Sequence, residues 1–209
     1  MIRVIVCDDH AVVRRGIRDT LAEAVDIQVT GEAGSYAEVR EMLRGTPCDV
    51  LVLDLNMPGR GGMEVLASLT EAGSPVKVLI VSMYPEDQYA IRCLRAGAQG
   101  YLSKAGDPEE LVRAVRTVVQ GRKYVTPEVA QMLVDSLAGP ALESPHAALS
   151  ERELQTVVKI ASGKRLSDIA EELMLSPKTV SVYRTRALEK LKVANNAELT
   201  VYAIRNGLV

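Results

Sequence analysis

Five short runs of Val, Ile and Leu recur along the N-terminal part of the chain, and helical spacing fills the gaps between them. The runs are IRVIVC (2–7), IQVTGEA (27–33), DVLVLD (49–54), VKVLIVS (76–82) and GYLS (100–103). Each is short enough for a strand and mostly apolar throughout, as strands covered on both faces are. Between them, Val13, Ile17, Leu21 and Ala24 share one helical face. Ser35 with Glu38 reads as a capping box. Asp107-Pro108-Glu109-Glu110 opens a helix with an N-cap acid, a Pro in the first turn and acids near the positive dipole end. A βα unit repeated in this way implies a parallel sheet joined by right-handed crossovers.

The rhythm then breaks. Thr126-Pro127-Glu128 opens one isolated helix running to about Leu137, and AGPALESPHAA (138–148) reads as a linker. From Leu149 the pattern is helical only. Charge follows the same division. Residues 1–120 carry 13 Lys and Arg against 17 Asp and Glu, whereas residues 147–209 carry 10 against 7. An acidic front and a basic tail point to two domains with different partners. The longest apolar run falls short of the roughly 20 residues that span a bilayer. MIRVIVCDDH turns acidic too soon for a signal peptide, so the cytoplasm is the expected compartment, with no membrane partner. Cys7, Cys48 and Cys93 are widely spaced and His10 and His146 stand alone, which argues against a Cys/His metal site.

Ligands of a parallel α/β sheet bind beyond the carboxyl ends of its strands. The first run ends in Cys7-Asp8-Asp9, the third in Asp54 and the fourth in Ser82, and Lys104 follows the fifth. Three acids, a hydroxyl and an ammonium therefore converge on one rim. Clustered carboxylates repel unless a cation holds them. Hard oxygen ligands with open positions suit Mg²⁺. Lys104 and Ser82 suit phosphoryl oxygens, as a point charge and a hydrogen-bond donor. The chemistry implied is phosphoryl transfer onto the Asp54 carboxylate.

DD at 8–9, DLNMPG at 54–59, VSMY at 81–84 and GYLSK at 100–104 resemble the receiver domain of two-component response regulators, over residues 2 to about 120. The resemblance implies a flavodoxin-like (βα)5 fold with Asp54 as phospho-acceptor. It implies Mg²⁺ held by Asp9, Asp54 and the backbone carbonyl of Asn56, with Asp8 helping through water. It makes Ser82 and Tyr101 a switch pair and brings Lys104 to the phosphate, with Pro58 and Gly59 shaping the loop behind Asp54. Many receivers place Pro, on a cis bond, after this Lys; Ala105 stands here. A retained cis bond would store ~2.5–4 kcal/mol. Tyr84, two residues past Ser82, is expected to shield the phosphoryl group and slow its loss.

The tail divides into four short helices. Ser150 with Glu153 forms a capping box and Gly163 ends the first helix. Leu166, Ile169, Ala170 and Leu173 share a face of the second, and Ser176-Pro177 opens the third. From Ser176 to Lys192 this third helix carries Lys178, Arg184, Arg186, Lys190 and Lys192 against Glu189 alone. Its apolar face is Val180, Tyr183, Ala187 and Leu191. Cations and small hydroxyls off that face suit the major groove of DNA.

LSERE, IAEELMLSPKTVSVYRTRALEKL and AELTVYAIRNGLV closely resemble the LuxR-type helix-turn-helix of NarL/FixJ-class regulators. By that resemblance Ser181, Val182 and Thr185 face bases, while Lys178, Thr179, Arg184, Arg186 and Lys190 hold the backbone. The expected division is a receiver at 1–121, a linker helix and flexible linker at 122–146, and an all-α, four-helix DNA-binding domain at 147–209. The whole reads as a transcription factor rather than an enzyme. A sensor histidine kinase or a small acyl phosphate donates to Asp54. Ser82 and Lys104 are then pulled inward and Tyr101 follows into the vacated space. The resemblance implies that the recognition helix is then unmasked and that an active homodimer binds paired half-sites on double-stranded DNA. Two other readings are a Mg²⁺-dependent phosphatase, for which Asp54-Leu55-Asn56 lacks the second acid, and a receiver whose tail docks protein instead of DNA.

Overall fold

A computed structural model describes residues 1–138 and 145–209. The chain divides into two compact units, Met1–Ala138 and Gly139–Val209.

The first unit is a five-stranded parallel sheet of order β2-β1-β3-β4-β5, with β1 at Ile2–Cys7, β2 at Ile27–Ala33, β3 at Val50–Leu53, β4 at Lys77–Ser82 and β5 at Gly100–Ser103. The helices between and after them are α1 (Ala11–Ala22), α2 (Tyr36–Gly45), α3 (Gly62–Glu71), α4 (Glu86–Arg95) and α5 (Pro108–Val119). Alternation along the strands sends Val4, Val6, Val50, Val52, Leu79 and Val81 into one core with Leu21 of α1 and Leu111, Ala114, Val115 and Val118 of α5. The intervening Ile5, Leu51, Leu53 and Ile80 are fully buried too, on the other face. Full burial of each such side chain contributes about 1.5–3 kcal/mol. The order reverses between β1 and β3, and the chain leaves those two strands at Asp8 and Asp54. This switch point is where a sheet of this order opens a ligand crevice.

Local signals set the helix starts. Ser35 accepts from the Glu38 amide, while Glu38 Oε2 reaches back past the cap to the Gly34 amide at 2.8 Å. Asp107 accepts from the Glu109 amide at 2.9 Å, with Pro108 in the first turn of α5.

Helix α6 (Pro127–Ala138) is not the isolated helix that its sequence suggests. It packs against α4, and Val129 is buried. Just before it, Tyr124 bridges to Gly100 and its amide donates to the Gln99 carbonyl at 2.8 Å. The expected flexible linker falls largely on residues 139–144, outside the described residues.

The second unit begins with a 3-10 turn, Pro145–Ala148, followed by α7 (Glu151–Ala161), α8 (Leu166–Glu172), α9 (Pro177–Leu191) and α10 (Asn196–Arg205). The Ser150–Glu153 capping box is complete, in both directions. Leu154, Val157, Ile169, Ala170, Val180, Ala187, Leu191, Leu199 and Ala203 form the buried interior. Small Ala170 and Ala187 let the helices approach closely. Between α8 and α9 the chain turns through Met174 at φ 52°, a left-handed conformation unusual for a side chain of this size.

Candidate functional site

Each rim residue of the first unit is placed by the strand before it. The Asp54 amide donates to the Cys7 carbonyl at 2.8 Å, so the ends of β1 and β3 are locked side by side. Asp8 and Asp54 are almost wholly buried. One ligand oxygen or nitrogen from each of Asp8, Asp9, His10 and Asp54 lies within 4.8 Å of all the others. Lys104 reaches in from the end of β5, its Nζ 2.6 Å from Asp8 Oδ2 and 2.9 Å from Asp54 Oδ2. The ammonium therefore bridges two carboxylates that would otherwise repel. Asp54 Oδ1 is buried and makes no hydrogen bond of good geometry.

Burial pushes the Asp54 carboxyl above its ordinary range, against the opposing pull of Lys104. Burial also disfavours the Lys104 charge, but Asp54 and Asp8 outweigh it and hold the ammonium protonated more firmly than usual. His10 is not alone. Its Nδ1 lies 2.7 Å from Asp9 Oδ1, and its amide donates to Asp8 Oδ1 at 2.8 Å. The sequence signal was adjacency, since His10 follows the acid pair and precedes α1.

The Lys104 amide donates to the Ser82 carbonyl at 2.9 Å, and Ser82 Oγ accepts from the Tyr84 amide at 3.2 Å. Tyr101 already lies inside. Its ring is fully buried and its hydroxyl donates to the Tyr84 carbonyl at 2.8 Å, so the ring is seated inward in this structure. Burial raises the Tyr101 phenol's pKa and keeps it a donor. The Tyr84 ring stacks on Tyr89 of α4, centroids 4.6 Å apart. Gly59 sits at φ +72°, as the loop behind Asp54 requires. Among the described residues no peptide bond is cis, so the bond before Ala105 is trans and the expected strain is not there. The observed Asn56 contact with Asp54 is made by its amide, which favours the ionised carboxylate.

In the second unit, α9 is capped by Ser176, which accepts from the Thr179 amide at 3.1 Å. Val180, Ala187, Leu188 and Leu191 face inward; Leu188 was not foreseen, and Tyr183 is only half-buried. Lys178, Val182, Thr185 and Arg186 are exposed, with Thr179 and Ser181 partly so. The outer face is thus cationic, hydroxylated and lined with short side chains. Two of the cations are already engaged within the unit. Lys190 Nζ sits 2.6 Å from Glu153 Oε2 and 3.1 Å from the Ala148 carbonyl. Arg184 Nε donates to Asn196 at the start of α10.

Residues 4–116 match the response regulator receiver domain, and residues 147–203 match the luxR family of bacterial regulatory proteins. The chain belongs to the response regulators. It is 41% identical over its whole length to the response regulator UvrY of Escherichia coli, covering 96% of that protein. It is 42% identical over its whole length to the response regulator GacA of Pseudomonas protegens, covering 98% of that one. Among solved structures it is similar to RcsB from Salmonella enterica serovar Typhimurium bound to promoter rprA in the presence of the phosphomimetic BeF3-. That match has a TM-score of 0.65 and 26% identity, over 96% of this chain and 97% of that one. A structure of two RcsB dimers bound to two parallel DNAs matches with a TM-score of 0.61 and 26% identity, over 97% and 98%. The protein is accordingly a response regulator of transcription, with a receiver unit and a LuxR-type DNA-binding unit. No helix among the described residues is long and apolar enough to cross a membrane.

Proposed function

We propose that this regulator, working in the cytoplasm, is controlled by phosphorylation of Asp54. A single observation carries the reading: a buried Lys104 ammonium bridges Asp8 and Asp54 while Asp54 Oδ1 stays without a good hydrogen bond. Lys104 thereby holds one oxygen of the acceptor, at 2.9 Å. In the transfer, an Asp54 oxygen forms a bond to phosphorus. The bond from phosphorus to the donor, the imidazole nitrogen of a sensor histidine kinase or the acyl oxygen of a small acyl phosphate, breaks with its electron pair left on the donor. Lys104 then pairs with the new phosphoryl oxygens, and the Ser82 hydroxyl donates to one of them.

The donor set fits a divalent cation. Carboxylate oxygens of Asp8, Asp9 and Asp54 are hard ligands gathered within 4.8 Å of one another. Asp9, Asp54 and the Asn56 carbonyl would hold Mg²⁺, with Asp8 acting through water. When bound, the ion supplies neutralisation of the phosphoryl charge. The product on this reading is a labile mark and not a turnover, because Asp54-Leu55-Asn56 lacks the second acid of an Asp-x-Asp phosphatase.

The output is sequence-specific binding of double-stranded DNA by α9, in a homodimer that spans paired half-sites. The basic, hydroxylated outer face of that helix supports it. Light scattering with and without Mg²⁺ and beryllofluoride tests the scheme. A monomer that dimerises only with the mimic, and not in Asp54→Asn, is the expected result. The same mass in all samples would remove dimerisation from the mechanism.

A further inference from the structure

We propose that the segment at 122–138, which reads in sequence as a tether, is the receiver's output element. It docks on α4 and the free edge of β5, and Glu86 latches it through Thr126. The inference rests on the assignment of Asp54 as acceptor.

The docking has four independent anchors. Tyr124 bridges to Gly100 and its amide donates to the Gln99 carbonyl, which covers an otherwise open strand edge. Lys123 Nζ donates to the Ala98 carbonyl. Val129 of α6 is buried. Thr126 Oγ1 donates to Glu86 Oε2 at 2.7 Å. A Cβ on Gly100 would lie 2.8 Å from the Tyr124 carbonyl oxygen, so this glycine is what lets the segment come so close.

The latch lies a short way from the acceptor, through contacts that a phosphoryl group would change. Ser82 Oγ accepts from the Tyr84 amide, and the Tyr84 carbonyl accepts from Tyr101. Glu86, two residues further, begins α4. Tyr101 is seated inward in this structure. The moving part of the latch is the Ser82 hydroxyl. Drawn to a phosphoryl oxygen, it leaves the Tyr84 amide, and the turn from Met83 to Pro85 is free to shift. Glu86 shifts with that turn and loses Thr126. A hydrogen bond to a carboxylate is among the stronger single contacts, so its loss is felt. Helix α6, which leads to the DNA-binding unit, is then released from α4.

Hydrogen exchange of the full-length protein, read by mass spectrometry with Mg²⁺ and with or without beryllofluoride, tests this. Glu86→Ala removes the acceptor but leaves Thr126 to cap α6, and Thr126→Ser keeps both roles. The mimic should slow exchange in the peptide containing Asp54. It should speed exchange in 127–138 by roughly tenfold, the change expected from one lost hydrogen bond to a charged group. Glu86→Ala should show the faster exchange without the mimic, and Thr126→Ser should behave as the parent. If the Asp54 peptide is protected and 127–138 does not change, the latch is overturned while the acceptor stands. If the Asp54 peptide is unaffected, the acceptor assignment fails and the latch falls with it.

Discussion

A Cβ placed on Gly62 would lie 2.1 Å from the backbone oxygen of Asp54. The start of α3 is therefore pressed against the acceptor's own peptide group, and the Gly62 amide donates to the Leu55 carbonyl at 3.0 Å. The neighbour is backbone and cannot rotate away. Gly62→Ala should destabilise the receiver by about 2 kcal/mol through overpacking and displace the loop that carries Asn56. Urea unfolding and phosphoryl incorporation from a small acyl phosphate should both fall. An unchanged unfolding midpoint would mean that α3 shifts without cost.

Lys104 neutralises two buried acids at once. Lys104→Met leaves Asp8 and Asp54 facing each other without a cation, and loss of one partner from a buried pair costs about 3 kcal/mol or more. Mg²⁺ offers the missing charge. The variant should melt well below the parent in EDTA and regain most of the difference in millimolar Mg²⁺, whereas the parent should gain less. Equal Mg²⁺ shifts in the two proteins would argue that the ion does not meet these carboxylates.

Arg3 and Asp49 fasten the start of β1 to the residue before β3. Arg3 Nη2 lies 2.6 Å from Asp49 Oδ1, and the Arg3 amide donates to Asp49 Oδ2 at 2.8 Å. The Arg3 contacts hold the Asp49 carboxyl at about 2, below its ordinary 3.8. A carboxyl depressed in the folded state adds stability above its ordinary pKa and loses it as pH falls through the folded value. Asp49→Asn should cost about 1 kcal/mol at pH 7, a modest figure because the pair is partly exposed and screened. The gap between variant and parent should narrow steadily as the pH is lowered from 4 towards 2. A gap that stays constant with pH would leave the lost amide contact, and not charge, as the cause.

Most of the architecture is legible in the sequence because it depends on neighbours. The runs at 2–7, 27–33 and 100–103 coincide with strands, and Ser150-x-x-Glu153 closes its capping box. The rim of Asp8, Asp54 and Lys104 follows from strand ends alone. Partners chosen across long separations were not legible. Nothing in the sequence tells that the Gly62 α-carbon rests on Asp54. Composition marks 122–138 as a connector, since the cover it gives β5 depends on the Tyr124 backbone. Lys190 looks like any other cation on a basic helix until Glu153, 37 residues earlier, is seen to meet it.

That last pairing separates the cations of α9 by experiment. Glu153 is buried, and its carboxyl is held low by Lys190 and Ser150 despite the opposing effect of burial. Lys190→Ala strands this acid and should destabilise the second unit by about 1–3 kcal/mol. Lys178 and Arg186 are exposed and take part in no ion pair among the described residues. Lys178→Ala and Arg186→Ala should leave the melting temperature nearly unchanged. Each should lower the slope of log affinity against log salt on target DNA by about one. Lys190→Ala, measured below its own melting range, should change that slope much less, because its charge already faces a carboxylate. Lys190→Ala with a slope change equal to that of Arg186→Ala would instead place its ammonium on a phosphate in the complex, exchanged from Glu153 on binding.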